Sequence, residues 1–172
     1  VCVHAVHILI FLCRNVFKGV NLDTFVPSWF VTFNGIMVSL VAGPDMLPSA
    51  MAKAVLYWGL FIYTVTIPFM VWRLITREVK PGMLHTQAIV LAPCSLCLVS
   101  YLNIVKEPVR AVVMILYVCV ILSLLFILVK LPRFFSVPFA PGFAGLTFPM
   151  AIGVVASTKA GSYLAGIGNE VL

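Results

Sequence analysis

Charged residues are scarce in this chain of 172 residues, where only 9% are Asp, Glu, Lys or Arg and 63% are hydrophobic. An ordinary soluble domain carries about a quarter charged residues. The mean hydropathy is +1.17. Because so few charges cannot cover a water-facing surface, the composition excludes a soluble globular domain and predicts an integral membrane protein.

Acidic residues are the scarcer charged class, with 5 Asp and Glu against 11 Lys and Arg. No charged residue of either sign falls at the expected mid-membrane depth between Thr24 and Thr158. Proton-coupled pumps usually place an ionisable group at that depth. The pattern therefore favours passive conduction over transport that depends on a buried charge.

Catalytic motifs are also missing from the sequence. It contains no nucleotide-binding loop, no nucleophile elbow and no paired carboxylates, so we expect neither an enzyme nor a cofactor. A nucleic-acid interface would need basic clusters with interleaved aromatic residues on a soluble face, and the sequence offers no such face. We therefore expect no nucleic acid partner and interpret the net charge of +6 mainly as a signal for membrane insertion.

What the chain does contain is a series of apolar segments. A helix needs about 20 apolar residues to cross a hydrocarbon core of about 30 Å. The predicted segments lie near residues 1–18, 26–44, 52–73, 85–104, 110–130 and 138–158. We predict an all-α polytopic membrane protein, with one transmembrane domain over residues 1–172 and a multi-pass location in the cell membrane.

Both ends of the chain suggest that it is part of something larger. The first segment has no basic residues before it and no cleavage site after it, so we interpret it as a truncated transmembrane helix rather than a signal peptide. The tail GSYLAGIGNEVL is too polar for another span. We therefore expect the chain to be a fragment of a larger protein.

The basic residues divide between two sides of the predicted bundle. Those after the first, third and fifth segments are Arg14, Lys18, Arg73, Arg77, Lys80, Lys130 and Arg133. Those on the other side are Lys53, Lys106, Arg110 and Lys159. The positive-inside rule favours a cytoplasmic location for the first, more numerous set.

The segments also differ in composition. The third and fifth are bulky and rich in Leu, Ile, Val and aromatic residues, which is typical of lipid-facing helices. The second, fourth and sixth carry small residues and helix breakers, namely Asn34, Gly35, Gly43, Pro93, Ser95, Ser100, Gly142, Gly145, Pro149, Gly153 and Ser157. A proline frees a backbone carbonyl that lipid cannot satisfy, so we predict that alternate helices face inward. Close helix packing is the alternative explanation of the small residues.

Two further groups have competing interpretations. Cys94 and Cys97 form a C-x-x-C pair, which a membrane thiol oxidoreductase would use as a dithiol, but both also suit helix packing within a hydrophobic segment. His4 and His7 lie on one helix turn, which is compatible with a metal pair, but no nearby carboxylate or further histidine supports them. We expect packing for the cysteines, hydrogen bonding for the histidines and no metal site.

Three stretches carry a resemblance to a known family. PSWFVTFNGIMVSLVAGPD (27–45), LHTQAIVLAPCSLCLVSYL (84–102) and FAPGFAGLTFPMAIG (139–153) resemble successive inner helices of the tellurite-resistance/dicarboxylate transporter family. That family includes bacterial tellurite-resistance proteins, malate permeases, sulfite exporters and plant slow anion channels. The most specific element is TFPMA at residues 147–151.

The resemblance implies a ten-helix bundle of five helical hairpins around a central pore, assembled as a homotrimer. On that template the chain supplies helices four, in part, to nine, with the odd ones inside. It also implies that small inorganic or organic acid anions pass through the pore in a lipid bilayer. The alternative within the family is a proton-coupled exporter of C4-dicarboxylates such as malate, or of sulfite or tellurite.

The resemblance also implies roles for particular residues. Phe148 matches the phenylalanine that plugs the family's pore, and the alternative for this residue is a packed core aromatic. Gly35, Pro93 and Pro149 match pore-lining or kink positions. Ser95 and Thr147 are expected to offer hydroxyl groups to a passing anion.

Overall fold

The computed structural model describes residues 1–138 and 141–170, and in those residues it contains helices and connections but no β-strand. The α-helices are α1 (Cys2–Asn15), α2 (Trp29–Asn34), α3 (Val38–Ala42), α4 (Ser49–Thr76), α5 (Leu91–Ile104), α6 (Arg110–Phe134) and α7 (Ala144–Glu170). The 3₁₀ helices are Gly35–Met37, Pro44–Met46, Pro81–Val90 and Pro141–Phe143.

Helices that can cross a bilayer make up most of the chain. Ser49–Thr76, Pro81–Ile104, Arg110–Phe134 and Pro141–Gly166 are each long and apolar enough for a membrane span. Cys2–Asn15 and Trp29–Ala42 are shorter apolar helices. The prediction of an all-α polytopic membrane protein is confirmed.

The first two predicted segments are shorter in the structure than the sequence suggested. α1 has 14 residues, and the second segment is interrupted by the 3₁₀ helix Gly35–Met37 between α2 and α3. The connection between these segments is a series of turns, in which Gly19 has a φ of 100° and the Asn21 carboxamide accepts a hydrogen bond from the Asp23 backbone N–H at 2.9 Å. These turns lie in the predicted connection, which the structure lengthens at both ends, because α1 ends at Asn15 and α2 begins at Trp29.

The fourth and sixth segments also differ from their predicted bounds. Ten residues, Pro81–Val90, form a 3₁₀ helix before α5, which is long for this kind of helix. α7 continues past residue 158 to Glu170, so much of the polar tail is helical. The Tyr163 hydroxyl in that extension donates a hydrogen bond to the Pro108 carbonyl at 2.9 Å. Residues 139 and 140 of the predicted segment 138–158 lie outside the described residues.

α5 occupies the centre of the bundle and packs against α3, α4, α6 and α7. Residues 91–101 are all buried. α4 and α6 expose most of their surface, as expected for outer helices, whereas α7 was expected inside and exposes as much as they do. Among the described residues α5 is therefore covered on all sides and α4, α6 and α7 are largely exposed, and the inward position of α7 stays a prediction.

Polar contacts mark the two ends of the bundle. At one end, which we call the Asp23 end, Asp23 pairs with Arg77 at 3.9 Å and Lys80 at 3.3 Å, and Glu78 pairs with Arg133 at 3.8 Å. The connections after α1, α4 and α6 meet there. At the opposite end, which we call the Lys159 end, α3, α5 and α7 are linked by hydrogen bonds. Arg77, Lys80 and Arg133 thus lie at the Asp23 end, and Lys159 lies at the opposite end.

The position of Arg73 corrects the prediction that this residue lies in the connection after the third segment. It lies inside the last turn of α4 and is only 2% exposed. Its guanidinium donates to the carbonyls of Leu22 at 3.2 Å, Arg77 at 3.2 Å and Glu78 at 3.5 Å. Backbone carbonyls therefore satisfy this buried charge and join two connections at the Asp23 end.

Candidate functional site

A cavity of about 250 Å³ lies where the second, fourth and sixth predicted segments meet, and we call it the Phe148 cavity. It is lined by Phe30, Val31, Asn34, Gly35, Val38, Ile89, Ala92, Pro93, Leu96, Ala144, Gly145, Phe148 and Pro149. Four of the six predicted site residues, Gly35, Pro93, Phe148 and Pro149, are therefore brought together.

The lining residues repeat with helical spacing in each segment. The second segment contributes positions 30, 31, 34, 35 and 38, the fourth 89, 92, 93 and 96, and the sixth 144, 145, 148 and 149. Spacings of three and four residues place side chains on one face of a helix. Phe30, Ile89 and Leu96 were not predicted as site residues, and this periodicity is the signal that identifies them.

Phe148 lies near the start of α7 with its side chain 46% exposed. The next residue, Pro149, is buried. Because Pro149 has no backbone N–H, the Gly145 carbonyl lacks its usual helical partner. The aromatic ring therefore sits at the edge of the cavity on a turn with a weakened hydrogen-bond ladder.

Glycines allow the walls of the cavity to approach one another. A Cβ at Gly153 would lie 2.9 Å from Leu91 Cδ2, so only glycine allows this close contact between α7 and α5. A Cβ at Gly35 would lie 3.1 Å from the His4 ring. Gly35 therefore lines the cavity with its backbone while α1 packs behind it.

Asn34 provides the polar side chain among the lining residues, and no charged side chain is found among them. It is 1% exposed, and its amide nitrogen donates to the Gly59 carbonyl at 3.0 Å. This bond ties the second segment to α4. The other lining side chains are apolar.

Ser95 and Thr147 do not line the cavity. The Ser95 side chain is completely buried, and its hydroxyl donates to the Leu91 carbonyl at 2.7 Å. Thr147 is exposed, and its hydroxyl donates to the Ala144 carbonyl at 2.7 Å. Both hydroxyl groups are therefore occupied by their own helices, and the structure does not bring them to the other four predicted residues.

Cys94 and Cys97 are both buried in α5 as free thiols. The Cys94 Sγ lies 3.2 Å from the Leu91 carbonyl and 3.6 Å from the Ser123 hydroxyl on α6. The Cys97 Sγ lies 3.8 Å from the Gly59 carbonyl on α4. These are contacts of packed side chains, and they connect α5 to both outer helices.

The histidines of α1 make backbone and aromatic contacts. His4 Nε2 lies 2.7 Å from the Thr32 carbonyl, and the His4 and His7 rings are 6.2 Å apart. Within residues 1–138 and 141–170, no three His, Cys, Asp or Glu side chains are grouped as metal ligands would be. His4 thus acts as a hydrogen-bonding link between α1 and α2.

Comparison with known families gives a match over almost the whole chain. Residues 1–169 match the family of voltage-dependent anion channels, SLAC1. No curated protein and no solved structure matches the chain. The match includes every segment that lines the Phe148 cavity. The chain belongs to the voltage-dependent anion channel family.

Proposed function

We propose that the chain conducts small anions along a path between the second, fourth and sixth predicted segments, and that Phe148 is the gate. The observation that carries the proposal is the position of Phe148. Its half-exposed ring borders a cavity formed by the three segments that contain the predicted breakers. Family membership supports anion transport in general, and the gate is our inference from this geometry.

The proposed gate works by excluding water. An aromatic ring among apolar walls leaves a hydrated anion no polar partner, so the closed state resists conduction. Pro149 leaves the adjoining turn without one hydrogen bond, so a small rotation there moves the ring at little cost. Opening is then a local movement of α7, and the buried centre of α5 stays in place.

Anion preference is proposed to arise from the absence of opposing charge. The four helices that can span a membrane contain no Asp or Glu in their described spans. A passing anion therefore meets no fixed negative charge there, and passive conduction needs no buried titratable group. We propose small inorganic anions and organic acid anions as the permeant class.

We also propose that the protein acts in the cell membrane as a homotrimer with one pore per subunit. The family resemblance of the TFPMA element at 147–151 supports this assembly. Cross-linking in native membranes would test it. A trimeric band supports the assembly, and a band pattern that ends at the monomer contradicts it.

The gate is tested by anion current through the full-length protein in planar bilayers. We expect Phe148→Ala to raise the current strongly, because removing the ring opens the apolar constriction, and we expect Phe148→Tyr to remain closed. Phe61→Ala is the matched control, because Phe61 is an exposed ring on the outer helix α4. Unchanged current in a folded, inserted Phe148→Ala protein would reject the gate.

A further inference from the structure

Two consecutive hydrogen bonds connect Lys159 on α7 to α5 and α3. Its ammonium donates to the Asn103 carboxamide oxygen at 2.6 Å. The Asn103 amide nitrogen donates in turn to the Leu40 carbonyl at 2.9 Å. Because both ends of the carboxamide are used, its orientation is set, and the lysine is anchored to α5 and α3.

No carboxylate among the described residues pairs with the Lys159 ammonium. Each ion pair among the described residues lies at the Asp23 end, and none includes Lys159. A carboxamide neutralises no charge, and an ammonium has three donors, of which Asn103 takes one. Lys159 therefore has donors available for a ligand.

Lys159 also shares a helix face with Phe148. The two residues are 11 positions apart on α7, which corresponds to about three turns, about 16 Å along the axis and only about 20° around it. Val155, between them on this face, is exposed as well. One exposed stripe of α7 thus carries the proposed gate near the Asp23 end and a fixed cation toward the other end.

The surroundings of Asn103 strengthen the local positive potential. Asn103 borders a second, more polar cavity of about 730 Å³ whose wall includes Lys53, Lys106 and Asp45. Two lysines and one aspartate give this cavity a net positive lining. Such a concave basic surface concentrates anions near its opening.

We propose that Lys159 is an anion-binding residue, which holds small anions or carboxylates at the Lys159 end of the path before or after they pass Phe148. Asn103 is its positioning residue. The inference rests on the proposed function, because the exposed stripe of α7 must face the ion path. It adds a charged binding site to a path whose gate is apolar.

The test uses Phe148→Ala as the conducting background in planar bilayers, with chloride as the probe. We expect Lys159→Gln to lower chloride conductance in dilute salt roughly fivefold, the factor that one unit charge about 4 Å from the ion produces in water. The loss should fade near about 1 M salt, where the Debye length falls to about 3 Å. Lys159→Arg should keep the conductance.

Lys130→Gln is the matched control, because Lys130 lies on the outer helix α6, with its ammonium 5.8 Å from the Phe126 ring centre. It should leave conductance unchanged. Full conductance of Lys159→Gln in dilute salt would overturn the inference, and so would an equal loss in Lys130→Gln.

A second variant separates charge from folding. Lys159→Cys should lose conductance and regain it when an aminoethyl methanethiosulfonate restores the positive charge in the same bilayer. Lys159→Gln treated identically controls for the exposed Cys2 and Cys13. Absence of recovery in the labelled protein would count against Lys159.

The two proposals fail in different ways. If Phe148→Ala raises the current and Lys159→Gln changes nothing, the gate stands and the lysine site is wrong. If Phe148→Ala fails to raise the current, the gate is wrong, and the Lys159 series is then measured as chloride efflux from vesicles that contain the protein with Phe148 intact. A loss of efflux in Lys159→Gln but not in Lys159→Arg would still support the site.

Discussion

α5 and α7 have similar compositions but very different surroundings. Both carry proline, small residues and hydroxyl groups, and both were predicted to be inner helices. In the most apolar 18 residues of Pro81–Ile104, which contains α5, 78% of the residues are buried, whereas in those of Pro141–Gly166, which contains most of α7, 22% are buried. Similar composition therefore does not show whether a helix is covered by the rest of the chain, as α5 is, or is exposed on one face, as α7 is.

The difference lies in how the small residues are arranged. In α5 they are surrounded: Cys94 contacts α6, Cys97 contacts α4, and Ser95 bonds to its own helix. In α7 the buried positions form one stripe, at 149, 152, 153, 156 and 160. α7 is thus two-sided, with one face packed on the bundle and the other free to face a path.

The largest effect is expected from breaking the contact between these two helices. Gly153→Leu should destabilise the protein by about 3 kcal/mol, at the upper end of the usual cost of overpacking a filled site. Leu91, which a Cβ at position 153 would meet, is only 1% exposed and has little room to move. The apparent melting temperature in detergent measures the loss.

Gly161→Leu is the matched control on the same helix. A Cβ at Gly161 would meet no atom within 4 Å, and replacing glycine inside a helix gains up to about 1 kcal/mol in propensity. We expect an equal or higher melting temperature. Equal destabilisation at 153 and 161 would mean that the close approach of α5 and α7 does not matter to stability.

A smaller loss of stability is expected at Ser95, which is buried in α5, and almost none at Thr147, which is exposed on α7. Ser95→Leu should destabilise by about 2 kcal/mol, since it adds volume to a filled site. Thr147→Leu should stay within about 0.5 kcal/mol, because its position is exposed. Thermal melts of both variants check this order. If Thr147→Leu proves the more harmful, α7 packs against a partner through that face.

The smallest effect is expected at the cysteine pair. Replacing Cys94 and Cys97 together with Ala should leave anion current unchanged, because neither residue lines the Phe148 cavity. Bilayer recordings in the Phe148→Ala background measure it, with Cys119→Ala, a less buried thiol on α6, as the control. Loss of current in the folded double variant alone would support the alternative thiol role.

Hydropathy predicted much of the fold because a segment that spans a bilayer must satisfy its backbone hydrogen bonds internally. A long apolar run such as the one in α6 has no other stable place, so its existence as a helix follows from the sequence. Local details did not follow from hydropathy. The 3₁₀ helix Pro81–Val90 and the ends of α1 and α2 depend on local hydrogen bonds, to which an average over many residues is insensitive.

The candidate site was predicted only in part. Gly35, Pro93, Phe148 and Pro149 were identified by motif, and they do meet in one cavity. Ser95 and Thr147 were chosen for their chemistry, but a hydroxyl group in a helix often bonds to a carbonyl one turn earlier. Helical phase, which residue type does not reveal, decides which side chains reach the cavity.

Arg73 has a consequence for the thickness of bilayer that suits the protein. α4 has 28 residues, or about 42 Å at about 1.5 Å per residue, which exceeds a hydrocarbon core of about 30 Å. Because Arg73 is fixed by three carbonyls at the Asp23 end, that end of α4 cannot slide into lipid. The excess length must be taken up by tilt, so α4 is expected to stand more upright in thicker membranes.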